Sequence, residues 1–203
     1  MSAPLSNSSI VVGVDGSPAS RCAVDWAARD AAMRNVPLTI VHAIGRITLP
    51  QAQIPAHLPR WQEEQAQQLI SDAVDLARHT TVDGAPAQVA TEVLSSAVVP
   101  ALVDLSRQAT MVVVGSRGRG AMARTVLGSV SSSLIRHAHC PVAVIHDEDP
   151  LMPHPAEAPV LVGIDGSPAS ELATAVAFDE ASRRGVELIA LHAWSDIEAL
   201  HFI

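Results

Sequence analysis

A long internal repeat constrains the fold of this chain more than any other feature. Residues 10–44 and 160–194 align without a gap at an offset of 150, with 16 identities in 35 positions. Both copies begin with a short apolar run followed by the hexapeptide Asp-Gly-Ser-Pro-Ala-Ser. A spacing this long indicates a duplicated domain rather than a short-period solenoid.

The repeat divides the 203 residues unequally. We predict a complete domain at residues 1–146, a proline-rich acidic linker at 147–159, and a truncated second domain at 160–203. The second copy contains counterparts of only the first strand, the first helix and the second strand. The expected organisation is therefore one complete domain followed by a partial β-α-β copy.

Short apolar runs alternate along the chain with longer segments of helical pattern. The predicted strands are residues 10–14, 38–42, 88–94, 111–114 and 142–146 in the first copy, and 160–164 and 187–192 in the second. The predicted helices are residues 19–34, 61–79, 100–108, 129–137 and 170–184. Continuous apolar strands that alternate with helices are typical of an α/β fold, in which both faces of a parallel sheet are covered. We predict a doubly wound five-stranded parallel sheet.

Composition excludes several classes of function. The chain has 13 basic and 21 acidic residues, all the basic ones are Arg, and the aromatic residues are three Trp and two Phe. The absence of Lys rules out a Walker lysine and a Schiff base. An acidic chain with few rings is poorly suited to nucleic acid, because phosphate needs positive charge and bases need stacking partners. With no apolar run of ~18 residues and no secretory pattern in residues 1–9, we expect a cytoplasmic protein without a membrane span.

Two predicted strands end in glycine-rich segments. The first strand is followed by Asp15, Gly16 and Ser17, and the fourth is followed by Gly-Ser-Arg-Gly-Arg-Gly at residues 115–120. Together with Gly128 and Ser129, the second segment has the pattern G-x2-G-x9-G-S. Glycine lets the backbone approach an anion, and free N–H groups at the start of a helix can hold phosphate. In open parallel sheets, ligands bind beyond such strand ends.

The spacing leaves a structural alternative open. Glycines after strands also form tight turns, and the alternative to a ligand contact by Asp15 is a helix N-cap formed by Ser17 or by Asp15 itself. Nearby in sequence, the group His137, His139, Cys140 and His146 matches no standard metal-site spacing, so we expect no protein metal centre there. No residue pattern indicates a catalytic nucleophile. Asp15 could hold Mg²⁺ that bridges bound phosphates.

Three segments resemble the universal stress protein family. They are IVVGVDGSP at residues 10–18, IVHA at 40–43, and VVVGSRGRGAMARTVLGSVSSSLIRHAHCPVAVI at 112–145. The resemblance covers residues 10–145 and the partial copy to about residue 194. Its glycine pattern marks the ATP-binding branch of the family. The resemblance implies the strand order 3-2-1-4-5 and ATP as the bound nucleotide.

The resemblance also implies the residues of the nucleotide site. Asp15 corresponds to an acid that contacts the nucleotide, the backbone of Ala43 meets adenine, and residues 128–130 bind phosphate. The full set of expected nucleotide-binding residues is Gly13, Asp15, Ala43, Gly115, Ser116, Arg117, Gly118, Arg119, Gly120, Ala121, Gly128, Ser129 and Val130. The partial copy repeats only the first segment, so we expect no independent nucleotide binding there.

We therefore expect an ATP-binding protein with a regulatory role in the stress response, a homodimer with further protein partners of unspecified kind. Nothing in the sequence supplies an obvious base to activate water, which favours binding over efficient hydrolysis. Two alternatives stay open. One is a slow ATPase or phosphotransferase, and the other is a nucleotide-free module that dimerises through the strand at residues 142–146.

Overall fold

A computed structural model describes residues 9–45, 58–80, 88–118, 127–146 and 158–193. The chain divides into two compact units, Met1–Glu148 and Asp149–Ile203. The division falls within the predicted linker, most of which lies outside the described residues. Among the described helices, none has both the length and the apolar character needed to cross a membrane.

The first unit alternates strands and helices throughout its described residues. The elements are β1 (Ile10–Gly13), α1 (Pro18–Arg34), β2 (Leu38–Ala43), α2 (Leu58–Thr80), β3 (Val89–Leu94), α3 (Val98–Leu105), β4 (Met111–Gly115), α4 (Ser129–His137) and β5 (Val142–Ile145). Their bounds differ from the sequence prediction by at most three residues. The largest differences concern the start of α2 and the end of α3. Helix α3 also begins before Pro100, which lies in its first turn, where the missing N–H of proline costs no helical hydrogen bond.

The five strands form one parallel sheet in the order β3-β2-β1-β4-β5, which confirms the predicted fold. Strand β1 lies in the centre, pairing with β2 on one side and with β4 on the other. The strand order therefore reverses between β1 and β4. In such sheets the connections leave the two strands towards opposite faces, which opens a crevice at their carboxyl ends.

Side chains alternate between the two faces of the sheet, and each face has its own hydrophobic core. On one face, Ile10 and Val12 of β1 belong to a buried cluster with alanines of α1 and with Ile70 of α2. On the other face, Val11 clusters with Leu102 of α3 and Leu134 of α4, among others. The sheet is thus covered on both sides, as continuous apolar strands require.

The second unit repeats the first three elements of the first. Its described elements are β6 (Val160–Gly163), α5 (Pro168–Arg184) and β7 (Leu188–Leu191), and the two strands form a parallel pair. Leu161 and Leu191 are 63% and 55% exposed, whereas their counterparts Val11 and Val41 are 0% and 2% exposed. In the first unit α3 and α4 cover these positions. The described residues of the second unit contain no counterpart of that covering layer.

Candidate functional site

A cavity of about 430 Å³ lies at the carboxyl ends of β1 and β4. Residues from both strand ends, from the loop after β4 and from the start of α4 line it. Val41, Val98 and Leu102 add an apolar wall. Its volume falls within the range of small-molecule sites, about 300–1,000 Å³. The reversal of strand order therefore produces a cavity at the position where open parallel sheets bind ligands.

The carboxylate of Asp15 is fixed by the turn that follows β1. Its Oδ1 accepts the backbone N–H of Ser17 at 2.9 Å, and Gly16 adopts a φ of 79°, which favours glycine. The other oxygen, Oδ2, lies against Gly118 in the loop after β4. A Cβ atom added to Gly118 would lie only 2.6 Å from it. The fold thus joins two glycine-rich segments that are about a hundred residues apart in sequence.

The three glycines of the spaced pattern serve different purposes in the fold. A Cβ on Gly115 would lie 2.7 Å from the carbonyl carbon of Ala19 and 2.8 Å from the nitrogen of Ser20, so this glycine lets β4 approach α1. The glycine at position 118 leaves room for the Asp15 carboxylate. A Cβ on Gly128 would lie 3.3 Å from the carbonyl oxygen of Ser116. Gly115 is therefore required for the close packing of β4 against α1, whatever the cavity binds.

Hydrogen bonds from both neighbouring helices hold the loop after β4. The carbonyl oxygen of Ser116 accepts the N–H of Gly128 at 2.7 Å and the hydroxyl of Ser131 at 3.1 Å. The carbonyl oxygen of Arg117 accepts the hydroxyl of Ser17 at 3.2 Å. Consecutive carbonyls are thus bonded to α4 and to the cap of α1. These contacts fix the course of the backbone beside the cavity.

Helix α4 begins at the wall of the cavity. Gly128 is its N-cap residue and makes no side-chain capping bond, and Ser129 and Val130 follow it along the wall. The first N–H groups of a helix have no intrahelical acceptor and lie at the positive end of the helix dipole. The start of α4 can therefore hold an anionic group such as phosphate.

The expected site residues fall into two groups. The following line this one cavity: Gly13, Asp15, Ala43, Gly115, Ser116, Arg117, Gly118, Gly128, Ser129 and Val130. Arg119, Gly120 and Ala121 lie outside the described residues. Ser17 and Ser131 both hold the loop, although neither was among the expected site residues. Ser17 is the N-cap of α1 and Ser131 lies in the first turn of α4, and serines at such positions indicate the start of a helix before they indicate a site.

The histidines and cysteine near β5 do not converge on a metal. Within the described ranges there is no group of three or more His, Cys, Asp or Glu side chains arranged to hold an ion. Burial raises the pKa of the Cys140 thiol, a shift opposed by a hydrogen bond from the backbone of Val112. A raised pKa favours the neutral thiol, whereas metal ligation needs the thiolate. Cys140 packs against the core on one face of the sheet, whereas His137, His139 and His146 are exposed.

Comparisons with known proteins point to one family. The family model described as "Universal stress protein family" matches residues 7–146 and 158–201. A universal stress protein of Mycobacterium tuberculosis is 56% identical over 202 residues, which cover 98% of this chain and 68% of that protein. The chain thus spans about two thirds of that relative's length.

Two solved structures of similar proteins contain adenine nucleotides. A universal stress protein in complex with cAMP is 29% identical, has a TM-score of 0.51, and covers 70% of this chain and 98% of its own. A universal stress protein from Archaeoglobus fulgidus in complex with dAMP is 25% identical, has a TM-score of 0.50, and covers 67% of this chain and 95% of its own. On the extent of the family match and the identity to its relatives, this chain belongs to the universal stress protein family.

Proposed function

We propose that the cavity of the first unit binds ATP, with Mg²⁺ on its phosphates, and that the protein acts in stress regulation through nucleotide-dependent conformation. One observation carries the proposal. An acidic side chain, a glycine-rich loop and the start of a helix, all distant in sequence, line one cavity with an apolar wall. This combination suits a ligand that is apolar and flat at one end and anionic at the other.

The chemistry of the lining assigns each part of the nucleotide to a region. The apolar wall formed by Val41, Val98 and Leu102, with Ala43 beside it in the lining, suits adenine. The start of α4 suits the phosphates. The chain has no Lys, and among the described residues of the cavity wall positive potential comes from backbone N–H groups and from Arg117. Magnesium commonly combines one carboxylate with phosphate oxygens, and Asp15 is the carboxylate among those residues.

The complexes of the two similar structures support an adenine nucleotide as the ligand class. The ligands named for them, cAMP and dAMP, share adenine, a sugar and a single phosphate. The titration with ATP, ADP and cAMP described below determines how many phosphates the ligand of this protein has. We favour ATP for two reasons. The resemblance in the G-x2-G-x9-G-S spacing implies the ATP-binding branch of the family, and the N–H groups at the start of α4 offer a site for further phosphates.

The lining favours binding over turnover. Among the described residues of the cavity wall, Asp15 is the single carboxylate, and no His, Lys or Glu accompanies it. A carboxylate occupied by Mg²⁺ does not also serve as a general base for water. We therefore expect at most a weak ATPase. Phosphate release that scales with protein concentration and is lost in Asp15→Asn would instead support the slow ATPase or phosphotransferase.

Calorimetric titration of the full chain with ATP, ADP, cAMP and GTP, with and without Mg²⁺, tests the proposal. We expect adenine nucleotides to bind and GTP to bind more weakly. In Gly118→Ala the added Cβ would contact the Asp15 carboxylate, so the affinity for ATP should fall at least about tenfold, or 1.4 kcal/mol. Gly163→Ala, whose Cβ meets no atom within 4 Å, is the matched control. A folded wild-type protein that binds no nucleotide at millimolar concentration contradicts the proposal.

A homodimer formed through β5 is a second proposal, and it is compatible with the first. Strand β5 lies at one end of the sheet and pairs only with β4 among the described strands, and all four of its residues are partly exposed. An edge strand of apolar residues offers unpaired backbone groups to another chain. Sedimentation velocity over a range of protein concentrations tests this proposal. A monomer throughout the range would contradict it.

A further inference from the structure

The hydroxyl of Ser17 makes two hydrogen bonds, one at the start of its own helix and one to the loop after β4. It is the N-cap of α1, where its Oγ accepts the N–H of Ser20 at 3.2 Å. The same Oγ donates to the carbonyl oxygen of Arg117 at 3.2 Å, a contact across 100 residues of sequence. A hydroxyl has one hydrogen to donate and two lone pairs that accept, so both bonds can exist together. Ser17 is 5% exposed, and water therefore competes little for either bond.

The second unit shows that the cap does not need the contact with the loop. Ser167 caps α5 by accepting the N–H of Ser170 at 3.2 Å, and its own N–H donates to Asp165 at 2.9 Å. These distances equal those around Ser17. The described residues of the second unit have no loop corresponding to the one after β4. The cap therefore forms without a bond like the one to Arg117, and that bond occurs in the unit that contains the cavity.

The bond has a directional consequence for the wall of the cavity. In a trans peptide the C=O and N–H groups point in opposite directions, and the described residues contain no cis peptide. Holding the Arg117 carbonyl therefore fixes the direction of the Gly118 N–H. Likewise, the bonds from Gly128 and Ser131 to the Ser116 carbonyl fix the N–H of Arg117.

We propose that Ser17 is a positioning residue for the nucleotide site, because its hydroxyl holds the peptide between Arg117 and Gly118 in the orientation that receives the ligand. This inference rests on the proposed nucleotide binding. A loop that already has its binding orientation loses less conformational entropy when the ligand binds, and the affinity is therefore higher. Losing one hydrogen bond of this kind should weaken binding about three- to tenfold.

Substitutions at position 17 separate positioning from capping. Ser17→Thr keeps both hydrogen bonds, and Ser17→Ala removes both. Ser17→Asp keeps a good helix cap, but an ionised carboxylate cannot donate to a carbonyl oxygen. Ser167→Ala and Ser167→Asp make the same changes to a cap that faces no glycine-rich loop and serve as matched controls.

The full-length variants are compared by ATP titration and by hydrogen exchange of the Arg117 and Gly118 amides without nucleotide. We expect weaker ATP binding and faster exchange in Ser17→Ala and Ser17→Asp, wild-type values in Ser17→Thr, and no effect at position 167. Wild-type affinity and exchange in Ser17→Asp would overturn the inference, because a role confined to capping predicts that result. If wild-type protein binds no ATP, the proposed function fails. Unchanged exchange with intact ATP binding refutes the role of Ser17 alone.

Discussion

The contact between β4 and α1 can be tested by replacing Gly115 with Ala. The added Cβ would lie 2.7 Å from the carbonyl carbon of Ala19, 2.8 Å from the nitrogen of Ser20 and 2.9 Å from the Cβ of Ala19. All three distances are shorter than normal van der Waals contact, and two involve backbone atoms that cannot rotate away. Gly115 does not have a positive φ, so alanine can adopt its conformation. The only penalty is therefore steric, and α1 or β4 must shift.

Two opposing terms set the size of the effect. Overpacking of a well-packed core costs about 1–3 kcal/mol. Alanine also restricts the unfolded chain, which stabilises the folded state by about 0.4–1 kcal/mol where the conformation allows it. The net result should be a loss of about 1–2 kcal/mol in the free energy of unfolding. For a unit of this size that corresponds to a fall in Tm of roughly 2–8 °C.

Urea unfolding, followed by far-ultraviolet circular dichroism without nucleotide, measures this loss. Gly118→Ala is the informative comparison, because its Cβ would meet the carboxylate end of the Asp15 side chain and no backbone atom. We expect Gly115→Ala to lose stability, and Gly118→Ala to keep it while losing affinity for ATP. A Gly115→Ala protein with wild-type stability would refute the reasoning, since it would show that the strand and helix have room to separate without cost.

Two further predictions concern charged groups. Asp30 is 1% exposed, and its Oδ2 accepts a hydrogen bond from the Nε of Arg34 at 2.6 Å. Arg34→Met would leave this buried carboxylate without its cation, so the free energy of unfolding measured in urea should fall by about 3–5 kcal/mol. The same change at Arg60, whose bridge to Glu64 is exposed, should cost less than about 1 kcal/mol, and equal losses would contradict this account. Hydrogen bonds from the Ser167 side chain, and next from its backbone, lower the pKa of Asp165, so folding favours the ionised carboxylate. The stability that this ionised group contributes is lost as pH falls through the lowered pKa. Ser167→Ala should move the carboxyl titration of Asp165, followed by NMR, to higher pH, and an unchanged midpoint would argue against this cause.

Local sequence signals predicted most of the fold. Apolar runs located the strands, and the 150-residue offset of the repeat identified the second β-α-β segment. The family resemblance supplied the strand order that the structure confirms. These features could be predicted because they depend on the periodicity of neighbouring residues and on motifs of fixed spacing.

The functions of individual site residues were less predictable, because they depend on contacts between distant segments. The glycine pattern gives no sign that Gly115 serves helix packing while Gly118 accommodates a carboxylate. The link from Ser17 to Arg117 was equally hidden, since a serine before a proline at a helix start already has a sufficient explanation as a cap. The separate roles of Gly115, Gly118 and Ser17 become apparent only from the contacts between the β1–α1 segment and the end of β4 with the loop after it.

The exposed apolar face of the second unit has a consequence for its dynamics. The backbone hydrogen bonds around its cap match those of the first unit, but Leu161 and Leu191 are exposed where Val11 and Val41 are buried. The described residues of the second unit contribute only Val162, Ala177 and Ala181 to the buried apolar side chains, so less hydrophobic burial stabilises them. The two copies therefore share the same local structure, but the free energy needed to open it should be lower in the second copy. The second should open first, so that the two copies of one repeat would belong to separate cooperative units of a single chain.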